Sequence, residues 1–264
     1  MPAVRWETLR QEAQALAAHA HAPAAFAETW GEVLRRYADR TFRPGQAVGA
    51  PRLPSYHLPP AVLMGLWQGL RGHLESRPAL VLPLAEALWA RPDLESHWMA
   101  ARLLGLAAVQ PPEPVLQRFW RWLAAAPDPA IATALLEYGT ARLVAEAPQA
   151  YLDAVGAMLG QEDGVALGLR ALVPLLGAPH FENLPRVLRF VAPLLSPPDP
   201  ALRPELAAVL RVMARRWPEE VTPFLRSLWR AYPDATLAWL LRRLLSVLPP
   251  EAAQSLKAML AEHR

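Results

Sequence analysis

Residues 199–231 read DPALRPELAAVLRVMARRWPEEVTPFLRSLWRA. Leu202, Leu206, Val209, Leu210 and Met213 recur at the spacings of one helix face, and after Trp217-Pro218 the residues Val221, Phe224, Leu225 and Leu228 do the same. Asp199 is placed to cap the first helix and Pro200 to occupy its first position. Pro218 opens the second, where its missing N–H costs nothing. Pro204 and Pro223 lie early in their helices and are expected to delay the regular start. The stretch is one helical hairpin.

The rest of the chain repeats it. Asp93, Asp128, Asp163, Asp199 and Asp234 follow one another at intervals of 35, 35, 36 and 35 residues. All but Asp163, which follows Glu162, come directly after a proline. Between them lies a second series of breaks at Pro111-Pro112, Pro148, Pro179, Pro218 and Pro249-Pro250. Two helices and two proline-marked turns per period predict a right-handed α-solenoid of HEAT-like hairpins, an all-α fold running through residues 1–264 as one domain.

Composition fits that reading. At 264 residues the chain exceeds the usual single core, a limit that an array of locally packed units escapes. The 53% hydrophobic content supplies a continuous core, and no segment alternates with period 2. Of the 27 basic residues 26 are arginine, and the net charge is only +3, so charge alone argues weakly for a polyanion. The absence of cysteine excludes disulfides, thiolate metal sites and cysteine nucleophiles. The start, MPAVRWETLRQE, lacks an apolar signal core, and no uninterrupted apolar run reaches about 18 residues, so a cytoplasmic protein with no membrane partner is expected.

Residues 3–20 and 24–40 read as an N-terminal helical pair broken near Ala22-Pro23. Residues 41–59 form a Pro-rich connector, read as an ordered link to the repeats of 60–264. Gly65, Gly69 and Gly72 recur at helical spacing within the next helix and suggest close helix packing. The histidines compose no metal site: His19 and His21 point to different faces, and Asp93 with His97 reads as a structural pair at a helix start. No nucleophile elbow, phosphate-binding loop or zinc-protease motif occurs, and no cofactor is expected.

Residues 85–106, AEALWARPDLESHWMAARLLGL, resemble the AlkD-like DNA alkylation-repair glycosylases, with their Leu-Trp, acidic residue and Ala-x-x-Leu-Leu. The Leu202–Leu225 stretch resembles the penultimate repeat of the same family, and the likeness is spread over roughly residues 55–230. It implies HEAT-like repeats with a concave DNA-binding surface. The catalytic motifs carry over poorly. Where the family pairs a Trp with an Asp, residues 128–139 offer only Glu137 as the acid. Arg170 stands near the family's aromatic-Arg position without a preceding Trp, and Ala208 falls where a Trp is expected. A glycosylase would have to use Glu137 and Arg170 in shifted roles.

A second pattern comes from the residues themselves. On three second helices the apolar face leaves two arginines and one aromatic: beside a core face of Val115, Leu116, Phe119, Trp120 and Leu123 stand Arg118, Arg121 and Trp122; beside Leu184, Val187, Leu188, Val191 and Leu195 stand Arg186, Arg189 and Phe190; and the helix from Pro218 leaves Arg226, Trp229 and Arg230. Guanidinium forks and aromatic planes suit phosphates and unstacked bases, so these residues form the candidate nucleic-acid stripe. Packed indoles with outward-reaching arginines would give the same pattern. Residues 128–162 carry a net charge of −4, with Asp153 on a second helix, which would interrupt the stripe. Three functions are therefore expected in turn: a non-catalytic or diverged AlkD-like repeat protein binding a macromolecule, nucleic acid favoured; a glycosylase for alkylated bases; or a protein-interaction scaffold.

Overall fold

Aspartates and prolines decide where the helices begin. A computed structural model describes residues 6–39 and 52–261. In it the carboxylates of Asp93, Asp128, Asp199 and Asp234 each accept a backbone N–H two or three residues on, from Ser96, Ala130, Ala201 and both Thr236 and Leu237, at 2.6–3.1 Å. Asp163 instead lies within the 3-10 turn Glu162–Gly164, whose start has no side-chain cap. It is the one aspartate of the series not preceded by proline. Asp199 caps the 3-10 turn Pro200–Leu202, and the regular helix starts only at Arg203, the delay expected of Pro204. Pro223 imposes no such delay, since its helix runs from Pro218 to Ala231 around it. Asp234→Ala is therefore expected to cost about 0.5–2 kcal/mol and Asp163→Ala close to nothing. Urea unfolding of the two variants checks this; equal losses would contradict the assignment of caps.

The helices are α1 (Trp6–Ala18), α2 (Pro23–Tyr37), α3 (Pro60–Glu75), α4 (Pro78–Trp89), α5 (Leu94–Leu104), α6 (Glu113–Ala124), α7 (Pro129–Ala134), α8 (Ala141–Glu146), α9 (Pro148–Leu159), α10 (Val165–Gly177), α11 (Leu184–Val191), α12 (Arg203–Arg216), α13 (Pro218–Ala231), α14 (Ala235–Leu244) and α15 (Pro250–Ala261). A π-helical turn, Leu135–Gly139, joins α7 towards α8. Among the described residues the only extended pairing is an isolated bridge between Leu195 and Pro198, so the chain is all-α.

Two compact units are present, residues 1–147 and 148–264. In the first, α1 lies on α3, α2 on α4, α4 on α5, and α5 on α7 and the π turn. Gly65 and Gly69 let α3 approach α1: added Cβ atoms would stand 2.6 Å from Leu9 Cδ1 and 2.4 Å from Ala13 Cβ. Gly72, the third of that series, faces open space. In the second unit α10 lies on α9 and α12, α12 on α14, and α13 on α15. The Phe190 ring of α11 occupies the place of the missing side chain at Gly156 of α9. Helices thus meet the element one hairpin along, and polar contacts repeat that step: Arg121–Glu86 and Arg170–Glu205 are each 35 residues apart, and Arg142–Leu106 is 36. Trp30, Phe26, Phe119, Trp122 and Tyr151 are the largest fully buried side chains. The Tyr151 hydroxyl donates to Ala171 O at 3.0 Å, and burial holds the phenol well above its usual pKa.

The described end of the connector is tied to helix starts. Arg52 N donates to Asp128 Oδ2 (2.8 Å), Ser55 Oγ to Glu95 Oε1 (2.8 Å), and Leu94 N to Pro54 O (2.9 Å). His57, with φ of 51°, turns the chain between these anchors and α3. Residues 41–51 of the connector lie outside the described residues. Asp93 and His97 are both buried, and His97 Nδ1 lies 2.9 Å from Asp93 O, a local contact at the α5 start.

Candidate nucleic-acid interface

The three second helices present their candidate residues differently. On α6, which lies against the π turn, the buried residues are Val115, Phe119, Trp122 and Leu123. Trp122 is 1% exposed and stacks on Trp89, with centroids 4.5 Å apart and planes within 5°. Trp120, expected in the core, is only half-buried and meets Phe119 edge-on at 4.9 Å. The two indoles thus exchange the expected places, because stacking on Trp89 removes a whole ring face from water. Arg118 Nε stands 2.9 Å from Glu86 Oε1, and its NH1 donates to Pro114 O. Arg121 donates to the same Glu86 oxygen at 3.2 Å, with its side chain 63% exposed. One carboxylate of α4 therefore orients both arginines.

On α11 the residues Leu184, Val187 and Val191 are buried as expected, with Leu195 buried beyond the helix end, whereas Leu188, also expected in the core, is only half-buried. Arg186 pairs with Asp153 Oδ1 at 2.5 Å and lies 5.5 Å over Phe190. Asp153 is accordingly not an uncompensated acidic gap; an arginine of the candidate stripe answers it within the same unit. Arg189 is exposed and makes no ion pair among the described residues. On α13 Trp229 is 5% exposed, so it belongs to the core with Val221 and Leu225. Arg226 is half-buried, whereas Arg230 is exposed and unpaired with any carboxylate among the described residues. The indoles of Trp122 and Trp229 are thus packed and Phe190 is half-buried; of the candidate stripe Arg121, Arg189 and Arg230 are the exposed residues.

Of the two alternative catalytic residues, Arg170 is engaged elsewhere. Arg170 donates through Nε and NH2 to Glu205 Oε1 at 3.1 and 2.8 Å, an α10–α12 contact within the second unit. Glu137 belongs to the first unit, exposed on the π turn. Ala208 is exposed on α12 and offers a methyl where the resemblance expects an indole.

Beside Glu137 stands a cluster that the reading of second helices does not reach. The Arg102 guanidinium lies 3.8 Å from the Tyr138 ring centroid, 4.1 Å from that of Trp98 and 5.4 Å from that of Trp67. Burial lowers the Arg102 pKa from its usual value, while Tyr138 and Glu137 oppose the shift. Tyr138 is brought over the arginine by the π turn, whose backbone runs against Gly105: a Cβ there would stand 1.9 Å from Tyr138 O. The aromatic faces nearest the candidate acid therefore already hold a cation of the chain itself. Its sequence trace is the spacing, since Trp67 and Tyr138 lie 35 and 36 residues to either side of Arg102. No helix among the described residues is long and apolar enough to cross a membrane. Comparison of the chain with family models, with curated proteins and with solved structures finds no match.

Proposed function

We propose that the protein is a right-handed HEAT-like α-solenoid, diverged from the AlkD-like glycosylases, that binds nucleic acid on its concave face without excising bases. The observation that carries the reading is the pair Arg189 and Arg230, exposed on successive second helices with no ion-pair partner among the described residues. Guanidinium groups in that state are available to phosphate oxygens, which supply most of the affinity for nucleic acid. Arg118, Arg121 and Arg186 extend the set but compete with Glu86 and Asp153. Two further observations favour binding over excision. Arg170 is held by Glu205, and the rings beside Glu137 are occupied by Arg102.

Duplex titration of paired variants tests the reading. Arg226→Ala/Arg230→Ala should weaken binding across sequences and flatten its salt dependence, by about 1 in slope for each phosphate left without its arginine. Arg118→Ala/Arg121→Ala should do less, because Glu86 already shares those charges. Asp153→Asn should strengthen binding by releasing Arg186. Base release from methylated DNA should be absent and Glu137→Gln without effect on affinity. Release that depends on Glu137 would establish the glycosylase instead, and absence of both binding and release would leave a protein scaffold.

A further inference from the structure

The first helices of the second unit carry a charge pattern that the second helices do not. On α12, Arg211 and Arg215 are exposed one turn apart, on the side opposite the buried Leu206, Val209, Leu210 and Met213. On the neighbouring α14, Arg242 and Arg243 are exposed. Between the two helices stands Trp239, half-buried, with Arg203 of α12 at 5.8 Å and Arg243 at 4.6 Å from its ring centroid. Arg203 also donates to Thr236 Oγ1 at 3.0 Å, which fixes the α12–α14 register.

Counter-charge is scarce on these helices. The only carboxylate within α12 is Glu205, turned to Arg170 with its side chain 10% exposed, and α14 contains none. Asp234, ahead of α14, spends its oxygen on the cap. Arg211, Arg215, Arg242 and Arg243 have no ion pair among the described residues. Four like charges standing on adjacent helices repel one another, a cost that an anionic partner removes.

We infer that the outward face of α12 and α14 is a phosphate-binding surface for the backbone of a nucleic acid, separate from the second-helix arginines. The inference rests on the nucleic-acid reading above and adds a second backbone contact to the one proposed there. Three features choose this partner. Arginine forks match phosphate oxygens bidentately. The step from Arg211 to Arg215 is about 6 Å along the helix, close to the roughly 7 Å that a B-form strand rises along its axis over two nucleotides. An anionic membrane fits less well, because the exposed large apolar side chains among the described residues are Trp6 and Tyr232, and neither lies on α12 or α14.

The test uses the full chain with Arg211→Glu/Arg215→Glu, Arg242→Glu/Arg243→Glu and, as a milder form, Arg211→Gln/Arg215→Gln. Binding to a short DNA duplex, the matching single strand, anionic phospholipid vesicles and polyglutamate is measured at low salt, with thermal midpoints as a check on folding. Each reversal should weaken duplex binding about tenfold or more and reduce the salt slope, while the glutamine pair falls between it and the parent. The thermal midpoints should stay within a degree or two of the parent, since the altered side chains are exposed. Duplex binding that survives both reversals but falls in Arg226→Ala/Arg230→Ala would overturn this surface and keep the wider reading. Failure of the parent chain to bind any nucleic acid would overturn both. Vesicle or polyglutamate binding abolished by the reversals, with duplex binding untouched, would assign the face to that partner instead.

Discussion

Gly105→Ala is expected to destabilise the protein by about 1–3 kcal/mol or more, the cost of forcing an extra methyl into a packed site. The glycine has φ of −71°, a value open to any residue, so backbone freedom is not the reason for it. Space is. A Cβ would stand 1.9 Å from the carbonyl oxygen and 2.9 Å from the carbonyl carbon of Tyr138, and backbone atoms cannot rotate aside. Relief requires the π turn Leu135–Gly139 to move, which lifts the Tyr138 ring from Arg102. Gly72→Ala supplies the control: its Cβ meets nothing within 4 Å, so it should stabilise α3 by about 0.5–1 kcal/mol. Denaturant unfolding of the two alanine variants should give opposite signs. A Gly105→Ala protein as stable as the parent would contradict the steric conflict.

Arg216→Ala should cost a similar or larger amount. Arg216 NH1 donates to Leu176 O at 2.8 Å and also to Ala178 O, and NH2 donates to Pro179 O and Phe181 O, both at 2.7 Å. One guanidinium thus satisfies the carbonyls at the C-terminal end of α10 and in the loop after it, which face no continuing helix. Its plane lies 4.5 Å over Trp217, which in turn meets Phe181 edge-on at 6.5 Å. Hydrogen bonds to a charged group contribute about 1.5–3 kcal/mol each where they are shielded, and the partial exposure of this site argues for a total near the value of one or two. Arg216→Lys should recover only part of the loss, because an ammonium cannot present two parallel donors to the loop. Thermal unfolding of the three proteins decides it; equal stability of the arginine and lysine forms would show that the fork geometry is immaterial.

Both residues show why some of this molecule is legible in its sequence and some is not. Helix starts are written locally, so the Pro-Asp pairs mark them and Asp163, lacking its proline, fails to cap. The 35-residue step is equally visible, because each hairpin needs the same punctuation. Face assignments are harder. The sequence of α6 places Trp120 inside and Trp122 outside, and only the presence of Trp89 on α4 reverses them. The apolar arc of such a helix is broad, and the neighbour that claims its edge is not encoded within the helix. The π turn has no local signal either, since LLEYG contains nothing that breaks an α-helix before Gly139; the absent side chain at Gly105 accommodates it.

The candidate site divides in the same way. Exposed Arg189 and Arg230 follow from the wheel of each helix, as expected. Pairing of Arg186 with Asp153 and of Arg118 with Glu86 depends on how neighbouring hairpins meet, so the stripe carries less free charge than its arginine count suggests. The Arg203–Trp239–Arg243 cluster arises only when α12 and α14 lie side by side.

Salt dependence of duplex binding by the unaltered full chain tests the nucleic-acid reading most directly. With at least three arginine–phosphate contacts, the logarithm of the binding constant should fall linearly with the logarithm of salt concentration, with a slope of about −3 or steeper. Absence of binding at low salt, or binding whose strength does not change with salt, would contradict it.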